Sequence, residues 1–254
     1  MNQDPEASPE TTTAEADQPA IDVRGLSKKF GRHAALNDVT LTVPAGRCLV
    51  LFGPNGAGKT TLIKVLCTLA VPTSGTALVC GYNVDSQSIE VRRQVGVLSH
   101  ESFLYDSMTA AENLRFFAKM HRTPASREHI DNLLEHVGML DRADSPVGTM
   151  SRGMMQRVAL ARCLLHDPQV ILLDEPYSGL DPHGVDILTQ YIKDLRSRGR
   201  TMLVTTHQLS TGLQVADDVA ILARGRLCYH AASKEVSHDD FRQQYAATVS
   251  EVQA

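Results

Sequence analysis

The stretch Gly53-Pro54-Asn55-Gly56-Ala57-Gly58-Lys59-Thr60-Thr61 follows directly on an apolar run, Cys48-Leu49-Val50-Leu51-Phe52. It fits the pattern G-x-x-x-x-G-K-[ST] with a buried strand in front and a helical pattern behind, which commits this part of the chain to a strand–loop–helix unit. Gly53, Gly56 and Gly58 let the backbone curl tightly enough for successive N–H groups to face a triphosphate. The following helix adds its positive N-terminal end. Lys59 brings a cation to the β- and γ-phosphates, and the Thr60 hydroxyl can ligate Mg²⁺. A glycine-rich turn without a ligand needs neither flanking element, so the context implies a bound nucleoside triphosphate.

Composition narrows the partners. A chain of 254 residues, 43% hydrophobic, can bury a full core as one large domain or two small ones. The formal charge of −4 is concentrated at the start: residues 1–20 hold Asp4, Glu6, Glu10, Glu15 and Asp17 and no Lys or Arg. Without those five, 24 acids face 25 bases, and no basic excess points to nucleic acid as a partner. Residues 1–20 have little to bury and read as a disordered acidic tail, lacking the basic and apolar regions of a secretory signal. The five cysteines are scattered without a C-x-x-C pair, as expected of small buried hydrophobes in a reducing compartment. No stretch approaches the roughly 18–20 apolar residues of a membrane span.

Ile21-Asp22-Val23-Arg24 and Val39-Thr40-Leu41-Thr42-Val43 alternate as half-exposed strands, joined through a turn near Phe30-Gly31. Strand 47–52, helix 59–69 and strand 76–80 follow. Thr109 can cap a helix carrying Leu114, Phe117 and Ala118; Thr123-Pro124 reads as the cap and first position of the next, whose apolar face is Ile130, Leu133, Leu134 and Val137. With a helix at 151–166, the span 100–167 reads as a helical subdomain inserted into an α/β frame. Val170-Ile171-Leu172-Leu173 resumes the frame as a strand covered on both faces. Helix 184–197, strand 202–205, a short helix near 209–216 and strands 218–223 and 226–229 complete a mostly parallel sheet. Residues 231–254, with Phe241 and Tyr245 among polar neighbours, form a tail with helical potential.

Asp174-Glu175 ends the strand 170–174 at the carboxyl edge of the sheet, where the phosphate loop also lies. Asp174 suits a Mg²⁺ shell, directly or through water, and Glu175 is placed to polarise an attacking water. Five segments in order, Gly53–Thr61, Met150-Ser151-Arg152-Gly153-Met154-Met155-Gln156-Arg157, Leu172-Leu173-Asp174-Glu175-Pro176, Ser178-Gly179-Leu180-Asp181-Pro182 and Thr206-His207, together resemble the nucleotide-binding subunit of ATP-binding cassette transporters. The resemblance covers about residues 20–230, with 21–230 as the ATPase domain. It implies a P-loop NTPase core with a mostly parallel sheet, an N-terminal antiparallel β subdomain and the helical insertion. It also implies ATP and Mg²⁺, hydrolysis, and a second copy or a paralogous ATPase subunit bound head to tail. A separate transmembrane permease would dock on this peripheral subunit at the cytoplasmic side of the membrane.

Carried over position by position, the resemblance implies that Phe30 stacks on adenine, that Ser151 and Gly153 contact the γ-phosphate held by the opposite subunit, and that Asp181 lies in the loop crossing between subunits. His207 matches the switch histidine that holds the attacking water. Two segments depart from the family pattern. Arg152 and Met154 stand where the signature has glycine and glutamine, and His100, after Val95-Gly96-Val97-Leu98-Ser99, stands where a Mg²⁺-ligating glutamine is usual. An imidazole suits Mg²⁺ less well than an oxygen does, so His100 acts through water or as a spacer. Glu101-Ser102-Phe103-Leu104-Tyr105 reads either as a docking patch for the permease or as a segment tucked under the helical subdomain. The His100 segment, the variant signature and Leu164-Leu165-His166-Asp167-Pro168 resemble the ATPase of the heme exporter of cytochrome c maturation. A drug, lipid or polysaccharide exporter, and less closely a soluble cassette ATPase, are the alternatives.

Overall fold

A computed structural model describes residues 18–99 and 101–253, without side chains for 251–253; residues 1–17 of the acidic tail and His100 lie outside the described residues. In chain order come β1 (Ile21–Phe30), β2 (His33–Val43), β3 (Cys48–Phe52), α1 (Lys59–Leu66), β4 (Ser74–Val79), β5 (Tyr82–Asn83), α2 (Ser88–Gln94) and β6 (Val95–Leu98). The middle is helical, α3 (Ala110–His121), α4 (Arg127–His136) and α5 (Arg152–Leu164). Then follow β7 (Val170–Asp174), α6 (Pro182–Ser197), β8 (Thr201–Thr206), α7 (Leu209–Leu213), β9 (Asp218–Ala223), β10 (Arg226–Ala232) and α8 (His238–Gln253).

Two sheets organise these elements. An antiparallel sheet runs β2-β1-β4-β5, and a larger one runs β10-β9-β3-β8-β7-β6. In the larger sheet β9, β3, β8, β7 and β6 pair in parallel, and β10 closes the edge antiparallel to β9. The central strands are apolar on both faces, as a parallel sheet covered on both sides requires. Along β3, Leu49 and Leu51 enter the core shared with α1 and the antiparallel sheet, while Cys48, Val50 and Phe52 enter the core under the helical region. Along β7, Val170 and Leu172 face the first core and Ile171 and Leu173 the second. All five residues of β7 are buried; truncating one of its leucines to alanine would cost about 2–5 kcal/mol.

The helical region is fixed by its caps. Thr109 and Glu112 form a reciprocal capping box on α3. The sequence reading places the cap of α4 at Thr123 with Pro124 behind it; the structure instead uses Ser126, whose hydroxyl accepts from the His129 N–H. The reason is local: α3 ends with Arg122 in the left-handed region and the Thr123 N–H closes back on the Ala118 carbonyl, so Thr123 still belongs to the exit of α3. Helix α8 returns to the sheet, burying Phe241 against Phe52 at 5.0 Å between ring centroids. Among the described residues no helix is long and apolar enough to cross a membrane.

Candidate functional site

The phosphate loop leaves β3 and enters α1 through a geometry that only small residues permit. A Cβ on Gly53 would lie 2.3 Å from the Leu222 carbonyl oxygen. Gly58 sits at φ +107 and a Cβ there would lie 2.4 Å from the Ala35 oxygen. Gly58 also caps α1 without a side-chain acceptor, and the first turn carries no acid, so the amide groups at this helix end are uncompensated. Phe30, exposed at the end of β1 with the Lys28 ammonium 5.0 Å over its ring, shares a cleft of about 310 Å³ with Asn55, Gly56, Lys59, Thr61 and Glu175.

The charged groups of this cleft are bonded to one another. Lys59 is buried; its Nζ donates to the Gly53 oxygen at 2.6 Å and the Pro54 oxygen at 3.2 Å and lies 3.1 Å from Glu175 Oε1. That last contact is an ion pair and not an aligned hydrogen bond. Glu175 Oε2 meets His207 Nδ1 at 2.9 Å, His207 standing half exposed just past the end of β8. Thr60 Oγ1 donates to Asp174 Oδ2 at 2.8 Å, and Thr205 Oγ1 donates to Asp174 Oδ1 at 2.6 Å. The structure thus brings Lys59, Thr60, Asp174, Glu175 and His207 together. Thr205 is a member that sequence reasoning missed. A threonine inside a fully buried strand was the available signal, because a buried hydroxyl needs a partner.

Glu175 occupies the left-handed region at φ 50, a conformation that costs a non-glycine residue about 1–3 kcal/mol and persists only where the surroundings enforce it. Its N–H is held by the Thr205 carbonyl at 3.0 Å and hydroxyl at 3.2 Å, and its carbonyl accepts from the Ser178 N–H at 3.1 Å. The donor set at the loop fits a hard divalent cation. A hydroxyl and a carboxylate sit together, and no group of three or more His, Cys, Asp or Glu gathers among the described residues. Mg²⁺ fits such a site, since it binds through one or two protein oxygens plus phosphates and water.

Ser151, Gly153 and Asp181 line a different cavity, of about 380 Å³, together with Arg152, Leu180 and Tyr191. Ser151 is the N-cap of α5, its hydroxyl accepting from the Met154 N–H at 3.3 Å. Asp181 is the N-cap of α6, accepting from the Gly184 N–H at 2.7 Å, with Pro182 at the first helical position. The segment 101–105 divides its side chains between the core and the surface. Leu104 packs on the core, whereas Phe103 and Tyr105 are 46% and 49% exposed.

A glycine-rich phosphate loop, an acid pair at the end of a central parallel strand and a histidine at the end of the next define a P-loop nucleotide-hydrolysing domain with an appended antiparallel sheet and helical region. The family model described as ABC transporter matches residues 36–178. The Nod factor export ATP-binding protein I of Burkholderia lata is 39% identical over 208 residues, 81% of this chain and 68% of that protein. An ABC transporter ATP-binding protein of Bacillus subtilis, YhcH, is 36% identical over 208 residues, covering 82% of this chain and 68% of its own length. Among solved structures, cbiO1 of Clostridium perfringens, part of the ABC transporter complex cbiONQ, superposes with a TM-score of 0.78 at 26% identity, covering 91% of this chain and 93% of that one. The ATP-binding cassette MJ0796, solved as a dimer in a post-hydrolysis state with ADP and Pi, gives 0.77 at 25% identity over 84% of this chain and 98% of that one. The chain belongs to the ABC transporter family as an ATP-binding, ATP-hydrolysing subunit.

Proposed function

We propose that this chain powers an exporter as one half of a head-to-tail pair, each copy holding ATP on its own phosphate loop and closing the other's site with its signature. The observation that carries this reading is the split within one chain. Ion pairs and hydrogen bonds join Lys59 to Glu175, Glu175 to His207 and Thr60 to Asp174 around the phosphate loop, while Ser151, Gly153 and Asp181 line a separate cavity. A second copy turned end to end would set Ser151 and Gly153 against the γ-phosphate over its partner's Lys59, with Asp181 crossing between subunits.

In that pair Phe30 stacks on adenine, and the amides of Gly53 to Thr61 with Lys59 surround the phosphates. Thr60 and Asp174 hold Mg²⁺, which when bound neutralises phosphate charge. Triphosphate binding draws Lys59 off the Gly53 and Pro54 carbonyls and releases Glu175 from its ion pair. Glu175, with His207 on its other oxygen, then orients water for in-line attack. Residues 21–230 form the working unit and 100–167 its helical subdomain. A groove of about 310 Å³ lined by Leu69, Val97, Phe103, Phe117, Arg162 and His166 receives a separate transmembrane subunit, and the chain works as a peripheral subunit on the cytoplasmic side of the membrane.

For the cargo, the variant signature and the segments around His100 and His166 support heme export for cytochrome c assembly. The names of the relatives, Nod factor export, favour the second reading, an exporter of another cargo such as a drug, lipid or polysaccharide. Isolating this chain from membranes and identifying the polytopic subunit that accompanies it separates the two. The catalytic reading is tested with Glu175→Gln. It should abolish turnover by about 10²–10⁴-fold and elute with ATP as a stable dimer on a sizing column. Wild-type turnover in the variant would remove Glu175 from the reaction, and a variant that stays monomeric with ATP and Mg²⁺ would overturn the pair.

A further inference from the structure

The first two turns of α5 grip the segment that follows Glu175 at two points. The Gln156 side-chain amide donates to the Pro176 carbonyl. One helical turn earlier, on the same face, the Arg152 guanidinium lies flat against Gly179. A Cβ built on Gly179 would meet Arg152 Cζ and Nε at 2.9 Å and Nη1 at 3.0 Å. Gly179 itself sits at φ +78, so the backbone angle favours glycine here, and the absent side chain leaves room for the arginine to lie close. Arg152 and Glu175 line a common cleft of about 240 Å³ with Gln156 and Ser178.

This grip meets a strained element. The Glu175 backbone is held in the left-handed region by Thr205 on the sheet side and by the Ser178 turn on the other, while its carboxylate meets Lys59 and His207. That turn belongs to residues 176–179, the stretch that Arg152 and Gln156 clamp. We propose that Arg152, the residue standing in place of the family's signature glycine, is a positioning residue for hydrolysis. With Gln156 it clasps residues 176–179 and thereby fixes the Glu175 carboxylate for water attack, linking the signature to the catalytic acid of the same chain. The inference rests on the hydrolytic role of Glu175 given above, but not on pairing of two copies.

Arg152 lies apart from the phosphate loop, so the clasp predicts a split between affinity and turnover. Arg152→Ala should lower kcat between about 10- and 100-fold, the scale of a misplaced catalytic group, while the ATP dissociation constant measured by calorimetry stays within about two-fold. Arg152→Lys keeps the charge but loses the planar stack and should recover only part of the rate. In a Glu175→Gln background, Arg152→Ala should lower the residual rate no further, because residues acting through one group are non-additive. Gln156→Ala, which leaves Arg152 in place, should reproduce the kcat loss and guards against an Arg152 variant that folds poorly. An unchanged kcat in both single variants, or the same fold-loss in the Glu175→Gln background, overturns the clasp. If Glu175→Gln fails to pair with ATP but Arg152→Ala still loses kcat alone, the two-copy reading falls and the clasp stands.

Discussion

The phosphate-loop cleft and the signature cavity engage their polar groups differently within the single chain. In the cleft every charge has a partner: Lys59 is bonded to two carbonyls and paired with Glu175, Glu175 also meets His207, and Asp174 accepts from two threonine hydroxyls. In the signature cavity Ser151 and Asp181 are exposed and cap the helices behind them. The first region is a charge network that a triphosphate must enter and rearrange. The second is a pair of capped helix ends lining one cavity. Binding strength should therefore reside in the first region and assembly in the second.

Lys59→Ala is the harshest test of that division. It removes the only buried lysine among the described residues and leaves the Gly53 carbonyl and Glu175 Oε1 without their cation. Calorimetry should show ATP affinity falling by more than about 100-fold, since charge-assisted bonds to phosphate are the strong ones. A variant that still binds ATP at near wild-type affinity would move the source of binding elsewhere in the chain.

The same contrast separates what the sequence revealed from what it hid. The loop 53–61 and the acids after β7 were readable because apolar runs fix the strands and the chemistry follows at their ends. The partnership of Arg152 with Gly179 was not, because it depends on how α5 meets a loop more than twenty residues away. Short elements were hidden for a related reason. α2 and β6 are too brief to show a period, and β6 packs so closely on α5 that a Cβ on Gly96 would lie 2.4 Å from the Cys163 carbonyl oxygen. Phe241 and Tyr245 were visible as a spacing of four, but their destination on Phe52 came only from the fold.

Acid should loosen the joint between the helical region and β6. His166, just beyond α5, bonds through Nε2 to the Val95 carbonyl at 3.1 Å and stacks on His121 of α3 at 4.2 Å. Its pKa is pushed from 6.5 down to about 4, mainly by burial and then by the neighbouring His121, with Arg162 adding to the effect and Asp167 opposing it. His121 is lowered too, by burial and Arg162. Because the folded pKa lies below the unfolded one, the unfolded chain takes up the proton first. Stability is complete above pH 6.5 and declines as pH falls from 6.5 toward 4. The loss should be about 1–2 kcal/mol after solvent screening of this partly exposed ring. Thermal melts at pH 7.5 and 5 should differ less in His166→Gln than in the wild type. An identical pH dependence in both would exclude the histidine pair as the acid-sensitive joint between the helical region and β6.

The smallest effect is the most discriminating, because Ser151 carries two roles that one substitution confuses. Ser151→Ala removes the cap of α5 and should cost about 1 kcal/mol in denaturant unfolding, with weaker pairing as a mixed consequence. Ser151→Asp separates the roles. Aspartate caps a helix as well as serine does and suits the N-terminal dipole, so unfolding stability should equal or slightly exceed that of the wild type. The same carboxylate would stand where the γ-phosphate of the partner's ATP is proposed to lie, and like charges there oppose closure. In a Glu175→Gln background, Ser151→Asp should therefore stay monomeric on a sizing column with ATP and Mg²⁺ while ATP affinity in the single chain is unchanged. A fully stable Ser151→Asp protein that still dimerises would mean that the signature cavity faces something other than nucleotide, and the contrast between the two regions would need a different cause.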